Sequence, residues 1–186
     1  MEVWMRPATL QFPGESPDHY IHWLGKGNAG QMEWGFRFYS MNNVQRRNRV
    51  SAYAWNPEGH AGAGAYYQGP LVQQNHWIHL VACFQHYVAP SVRQTGVQFY
   101  INGALSQGPP SPGTLYYNPP KWNVVPQSGD APLRLGTRST SSYLTGSLDE
   151  VAVYPRVLRA EEVLNHYSAA LRESEAIEDN RSTLYG

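Results

Sequence analysis

Carboxylates come first, because two of them flanking one bond are enough to hydrolyse a glycoside. Of the 14 acidic residues, eight lie late in the chain, at Asp149 and Glu150 and then from Glu161 to Asp179. Glu2, Glu15, Asp18, Glu33, Glu58 and Asp130 are scattered through the rest. Asp149 and Glu150 are adjacent, and neighbours on a strand point to opposite faces, so they cannot serve one substrate together. The same period of two places Asp149 with Val151 and Val153, toward a core. A carboxylate there needs a cation, an Arg or several backbone donors.

Other chemistry is thinner. His19/His22 and His76/His79 are spaced i, i+3, which on a strand sends each pair to opposite faces and chelates nothing by itself. Ser139, Ser141 and Ser142 lack the Gly-x-Ser-x-Gly elbow of a serine nucleophile. Cys83, the single cysteine, sits among Val81, Ala82 and Phe84 and reads as an inert core thiol. It excludes a disulfide framework and any zinc site built on several thiolates.

Binding is better served. Arg46, Arg47 and Arg49 form the one dense basic cluster, at the place of a hairpin turn. They read either as a solvated turn or as a patch for the sulfate or carboxylate groups of acidic glycans, which Arg forks recognise well. Tyr66, Tyr67, Tyr116, Tyr117 and Trp122 are flanked by Gly and Pro rather than by a core pattern. They either hold a sugar ring or peptide or cover the ends of the fold as satellite clusters.

The elements that must position these residues are mostly short strands. Alternation marks 2–6, 20–25, 34–39, 49–55, 77–86, 96–101, 133–137 and 147–154. Val97, Phe99 and Ile101 share one face, and Asn102-Gly103 follows as the strongest short-range hairpin signal. The nearly continuous apolar run from Ile78 to Phe84 belongs at the centre of a sheet. The stretches 56–75 and 104–132 read as long aromatic loops. Ala160, Val163, Leu164, Tyr167 and Leu171 then share the face of a helix, with Glu161 and Glu162 in its first turn. One domain over 1–171 and an acidic tail over 172–186 follow, the stretch beyond Arg172 reading as a frayed helix extension or a tail. Such a pattern, with 17 Gly and 14 Pro, predicts an all-β sandwich.

Composition sets the outer limits. The 186 residues suffice for one domain that buries roughly 70% of its unfolded surface. Fourteen basic residues balance the 14 acidic ones, which argues against broad capture of nucleic acid. No apolar run reaches the ~18–20 residues of a membrane span. Residues 1–6 carry no signal-peptide pattern, so secretion is expected only as part of a larger precursor.

Three segments taken in order resemble the laminin-G-like jelly rolls: Trp77-Ile78-His79-Leu80-Val81-Ala82, Val97 to Gly103, and Leu133-Arg134-Leu135-Gly136. The ending from Leu144 through Gly146-Ser147-Leu148-Asp149-Glu150-Val151 to Leu158 is similar to that family's last strand and short helix. Glu2-Val3-Trp4-Met5-Arg6-Pro7 is similar to its early Glu-x-Trp strand. The resemblance covers 2 to about 171 and implies a concanavalin-A-like jelly roll: two antiparallel sheets and one short C-terminal helix. Two departures accompany it. The family's preceding strands are absent, which predicts an unpaired sheet edge covered by the tail or by a second copy in an edge-paired homodimer. Arg159 replaces the usual Ser or Thr helix cap, at a cost of ~1 kcal/mol.

The resemblance implies a calcium ion at Asp149, against the plainer reading of a hydrogen-bonding carboxylate; calcium needs 6–8 oxygens. Hydrolases of this sandwich carry a Glu-x-Asp-x-x-Glu strand, which is missing. The reading is therefore a non-catalytic module, extracellular or at the cell surface, that binds a glycan or a protein. The alternatives are a structural accessory or protein-interaction domain beside a catalytic one, and an enzyme using Glu33, Glu58 or His60.

Overall fold

The computed structural model describes residues 1–28, 30–56, 61–67, 71–89, 92–106, 114–117 and 128–184. Among these residues eleven strands form two antiparallel sheets, followed by one helix, α1 (Ala160–Leu184). The strands are β1 (Glu2–Pro7), β2 (Tyr20–Asn28), β3 (Gln31–Tyr39), β4 (Arg49–Asn56), β5 (Ala61–Tyr67) and β6 (Ile78–Ala89). They continue as β7 (Val92–Ile101), β8 (Ala104–Leu105), β9 (Thr114–Tyr117), β10 (Leu133–Leu135) and β11 (Gly146–Ala152). One sheet has the order β11-β1-β6-β7-β8, the other β10-β2-β3-β4-β5-β9. The all-β sandwich with a C-terminal helix matches the expectation.

The core lies between the sheets. Val3, Met5, Leu80, Ala82, Val97 and Phe99 from the first meet Ile21, Trp23, Phe36, Phe38, Val50 and Ala52 from the second. Each set recurs at period two along its strand, as a one-sided buried face requires. The central strand β6 is buried on both faces from Ile78 to Cys83, which explains its unbroken apolar run. Its outward residues Val81 and Cys83, with Tyr100 of β7, lie under Leu158, just before α1, and Val163 in its first turn. Burial raises the Cys83 thiol pKa, as an inert core thiol requires.

The hairpin at Asn102-Gly103 forms as expected, with both residues at positive φ, 50° and 78°, and with Ile101 paired to Ala104. Gly103 is also pressed by the helix, since a Cβ there would lie 3.0–3.2 Å from Tyr167 and Leu164.

Several expectations change. Strand β5 lies within the predicted loop 56–75 and β9 within 104–132, and they pair with each other. The glycines and tyrosines of Ala61–Tyr67 hid a strand on a Gly-rich sheet face. Helix α1 runs on through the acidic stretch after Arg172 as far as Leu184, the helix extension that the sequence offers beside a β-capable tail. Strand β1 is paired on both sides, by β11 and by β6, so no open edge falls on it. The missing cap at Arg159 is offset by Glu162, whose Oε2 accepts the Arg159 backbone N–H at 2.7 Å, half of a capping box. Glu162 also takes both guanidinium nitrogens of Arg156 at 2.8 and 2.9 Å.

Beneath α1 sits a buried carboxylate. Glu2, 5% exposed, accepts hydrogen bonds from His79 Nε2 at 2.7 Å, Tyr154 Oη at 2.7 Å and His166 Nδ1 at 3.0 Å. Burial alone would raise its pKa, but these donors outweigh burial and hold it at about 2. Trp4 and Tyr167 close over the cluster, the Trp4 ring tilted by 38° against His79 at 5.1 Å and the Tyr167 ring stacked on it at 5.8 Å.

Stability rises with pH wherever Glu2 is ionised in the native state but still protonated in the unfolded one. That contribution is complete above the ordinary pKa of 4.5 and is lost as pH falls toward 2. Glu2→Gln should lower stability at pH 7 by about 1–3 kcal/mol and flatten the acid limb between pH 4.5 and 2. Urea unfolding across that range is the measurement; a limb with the wild-type slope would count against the assignment.

Candidate functional site

The other sheet turns a different surface outward. Opposite the core residues of β2, β3 and β4, the intervening positions are Tyr20 and His22, Arg37 and Tyr39, Tyr53 and Trp55. Register aligns them across the sheet: His22 faces Arg37, and Tyr20 faces Tyr39. This period-two set holds two ionisable groups and four aromatic rings on one face.

Arg37 is the centre of the arrangement. Its Cζ lies 4.3 Å from the Tyr20 ring centroid, 4.4 Å from Tyr53 and 5.6 Å from Trp55, all within cation–π range. Its Nε donates to His22 Nε2 at 2.8 Å. Burial opposes its charge, but the hydroxyls of Tyr53, Tyr39 and Tyr20 outweigh that and raise its pKa. Tyr39 and Tyr53 share a hydroxyl–hydroxyl bond of 2.6 Å.

A second arginine arrives from the turn after β10. Arg138 is 4% exposed, and its Cζ lies 5.2 Å from the ring centroid of Trp55. Gly25 and Gly35, paired across β2 and β3, make the trough for its stem: a Cβ on either would lie 3.3 Å from an Arg138 side-chain carbon. Arg134 Nη1 holds the turn by donating to the Arg138 carbonyl at 2.7 Å. Burial and the nearby Arg37 charge lower the Arg138 pKa to about 10. His22 is pushed down to about 2, by burial first and then by Arg138 and Arg37.

Next to Arg37 the surface opens into a cleft of about 420 Å³, lined by Asp18, His19, Tyr20, Tyr39, Asn43 and Arg46 among others. Its rim is the turn between β3 and β4, where the Arg cluster was expected. Arg46 Nη1 donates to Tyr39 Oη at 3.1 Å, and its Cζ stands 5.2 Å over the Tyr39 ring. Arg47 is exposed and Arg49 is half-buried in β4, so only Arg46 of the three lines the cleft.

The aromatic candidates are placed in part. Tyr66 and Tyr67 lie in β5, and Tyr116 and Tyr117 in β9, with Tyr66 opposite Ser51 and Tyr117 opposite Gly64. Their side chains lie outside the described residues, as do Trp122, Glu58 and His60 altogether. Glu33 is 4% exposed and holds Lys26 Nζ with both oxygens, at 2.7 and 2.8 Å. Sequence reasoning missed Tyr20, His22, Arg37, Tyr53, Trp55 and Arg138. The signal for the first five was the polar or aromatic residue alternating with each core position.

Asp149 departs from its expected place. The register passes from Trp4↔Asp149 to Glu2↔Ala152, a bulge with Glu150 at φ 49°. The extra residue resets the alternation, so Leu148 and Val151 pack on the core while Asp149 and Glu150 are both exposed. Asp149 Oδ1 accepts the Glu150 N–H at 2.9 Å. Among the described residues no group of three or more His, Cys, Asp or Glu is placed to hold a metal.

His22 generates a pH prediction. Its neutral form is the one the fold holds, so its contribution is complete above the ordinary pKa of 6.5 and is lost as pH falls toward 2. Between pH 6.5 and 4.5 the unfolded chain binds the extra proton, and stability should fall by up to ~1.4 kcal/mol per pH unit from this group. His22→Gln, which can still accept from Arg37, should shallow that slope in calorimetric melts. An unchanged slope would contradict the buried neutral ring.

No helix of the described residues is long and apolar enough to cross a membrane. Comparison with curated proteins and with solved structures gives no match. A family model, Laminin_G_3 of the concanavalin A-like lectin/glucanases superfamily, matches residues 1–164. That span runs from β1 into α1 and takes in the whole sandwich, and the chain belongs to this laminin-G-like family.

Proposed function

We propose that the chain is a non-catalytic binding module and that it takes a carbohydrate in the cleft beside Arg37, working at the cell surface or within a larger secreted protein. The observation that carries the reading is the cleft's make-up. Tyr20 offers aromatic surface, while Arg37, Arg46, Asn43 and Asp18 bring polar groups to the same volume. A sugar ring presents an apolar face and a rim of hydroxyls, and such a mixed wall suits both. The size, about 420 Å³, falls within the range of small-ligand sites.

Catalysis finds less support. Hydrolysis by paired carboxylates needs two acids about 5–9.5 Å apart across the bond, and among the described residues Asp18 is the one acid lining the cleft. Glu33, a candidate from the sequence, is committed to Lys26. The family match supports a binding-module fold, and the choice of carbohydrate over protein rests on the cleft.

Titration calorimetry against a panel of neutral and charged oligosaccharides tests this. Tyr20→Ala should weaken binding at least about tenfold, as loss of an aromatic anchor does. Trp77→Ala, on the other sheet, should leave it unchanged. Absence of binding across the panel, with a protein partner recovered by pull-down, would replace the sugar by a protein.

A further inference from the structure

Among the described residues Lys26 is held by Glu33, Arg156 by Glu162, and Arg159 by Glu161 and Glu162. Arg37 and Arg138 are placed differently. Among the described residues neither has a carboxylate within 4 Å, although both are largely withdrawn from water. Arg138 Nε and Nη1 are buried with no hydrogen-bond partner. Both guanidinium groups lie within 6 Å of the one Trp55 ring, and each depresses the ionisation of neighbours: Arg37 that of Arg138, and both that of His22.

Two like charges at close range in a poorly hydrated setting repel, and aromatic faces return only part of the lost hydration. Orphaned guanidinium N–H groups in a native structure call for an explanation. The repulsion is relieved when an anion approaches, and the open cleft beside Arg37 is where one can enter. Arg46 stands on the rim of the same cleft, adding a third positive charge. Among the described residues Asp18 is the one acid lining it.

We propose that the cleft selects an acidic sugar, with a ring-borne carboxylate or sulfate seated against the Arg37 guanidinium and Arg46 closing the rim. This rests on the carbohydrate reading above and narrows it. Arg138 does not line the cleft; its charge raises the local potential from behind and makes it a positioning residue. The planar Arg fork suits both anions, because each offers two oxygens at matching spacing. Stacking on Tyr20 and Tyr53 fixes the plane of that fork before the ligand arrives, so little is lost in ordering it.

The test uses the full chain and a panel of gluco-, galacto- and manno-configured oligosaccharides, each in neutral, uronate and sulfated form, titrated calorimetrically at 150 mM salt. One acidic form should bind at least about tenfold more tightly than its neutral counterpart, the effect of one charge-assisted hydrogen-bonded contact. The uronate and sulfate arms identify which anion is preferred. Arg37→Gln should bring acidic and neutral forms within about twofold of each other, and Arg46→Gln should reduce the preference by a smaller factor. Since Arg37→Gln removes buried stacking and could unfold the sheet, its melting curve is recorded alongside. If it does not fold, the wild-type selectivity and the rim variant Arg46→Gln decide the matter. Equal affinity for neutral and acidic forms would overturn the inference and leave the carbohydrate reading intact. A preference that survives both substitutions would also overturn it, by placing the anion elsewhere. Failure of every oligosaccharide to bind would bring down both.

Discussion

The Glu2 carboxylate joins the two ends of the fold. It lies in the first strand, yet its donors come from the middle strand, from the segment after the last strand and from the helix. His79, Tyr154 and His166 are 77, 152 and 164 residues away in sequence. A buried carboxylate with one donor would be a liability; with three it becomes a point that only the complete sandwich can satisfy. Strand β1 cannot pair in another register without withdrawing the acid from all three at once. The interaction therefore specifies which strand lies beside β6 and where α1 docks.

That docking divides the molecule into two unlike faces. The five-stranded sheet uses its outer surface to hold α1, with Val81, Cys83 and Tyr100 under Leu158 and Val163. The six-stranded sheet turns outward a face of Arg, His, Tyr and Trp. Arg is the cation that such a face can hold, because a planar, weakly hydrated guanidinium stacks on rings. Lys26, one of only two lysines in the chain, sits at the far end of β2 and takes a carboxylate partner instead. The same physics keeps His22 neutral: a ring between two guanidinium groups has no use for a third charge, and its free lone pair is what Arg37 needs.

Much of the fold was legible because burial on one face imposes a period of two. Val97, Phe99 and Ile101 alternate, Asn102-Gly103 turns, and both follow from local rules. The strands that escaped, β5 and β9, lack that pattern. Ala61–Tyr67 carries glycines at positions 62 and 64, opposite Trp55 and Tyr53 of β4, where large rings already occupy the neighbouring strand. A strand whose side chains are small because its neighbour's are large looks like a loop when read alone. Asp149 was misplaced for a related reason. Alternation counted through Glu150 assumes an unbroken ladder, and one residue in the left-handed region shifts the parity of everything before it.

The candidate site was harder to read, and the reason is topological. Chemistry sought in runs, as in Arg46-Arg47-Asn48-Arg49, finds residues that a turn then splays apart: one lines the cleft, one faces solvent and one joins a strand. Chemistry on a sheet is assembled across strands instead. His22 and Arg37 are partners at a separation of 15 residues, and Arg138 reaches them from more than 100 residues further on, over a trough that two glycines leave open. Each has an ordinary local context in the sequence: a polar position on an alternating strand, or an Arg in a Ser-rich turn. Only the register between β2, β3 and β4 converts those positions into a charged, ring-walled surface. The positive charges in a neutral chain are thus brought together by strand pairing rather than by composition, which is why net charge says so little about what such a face can bind.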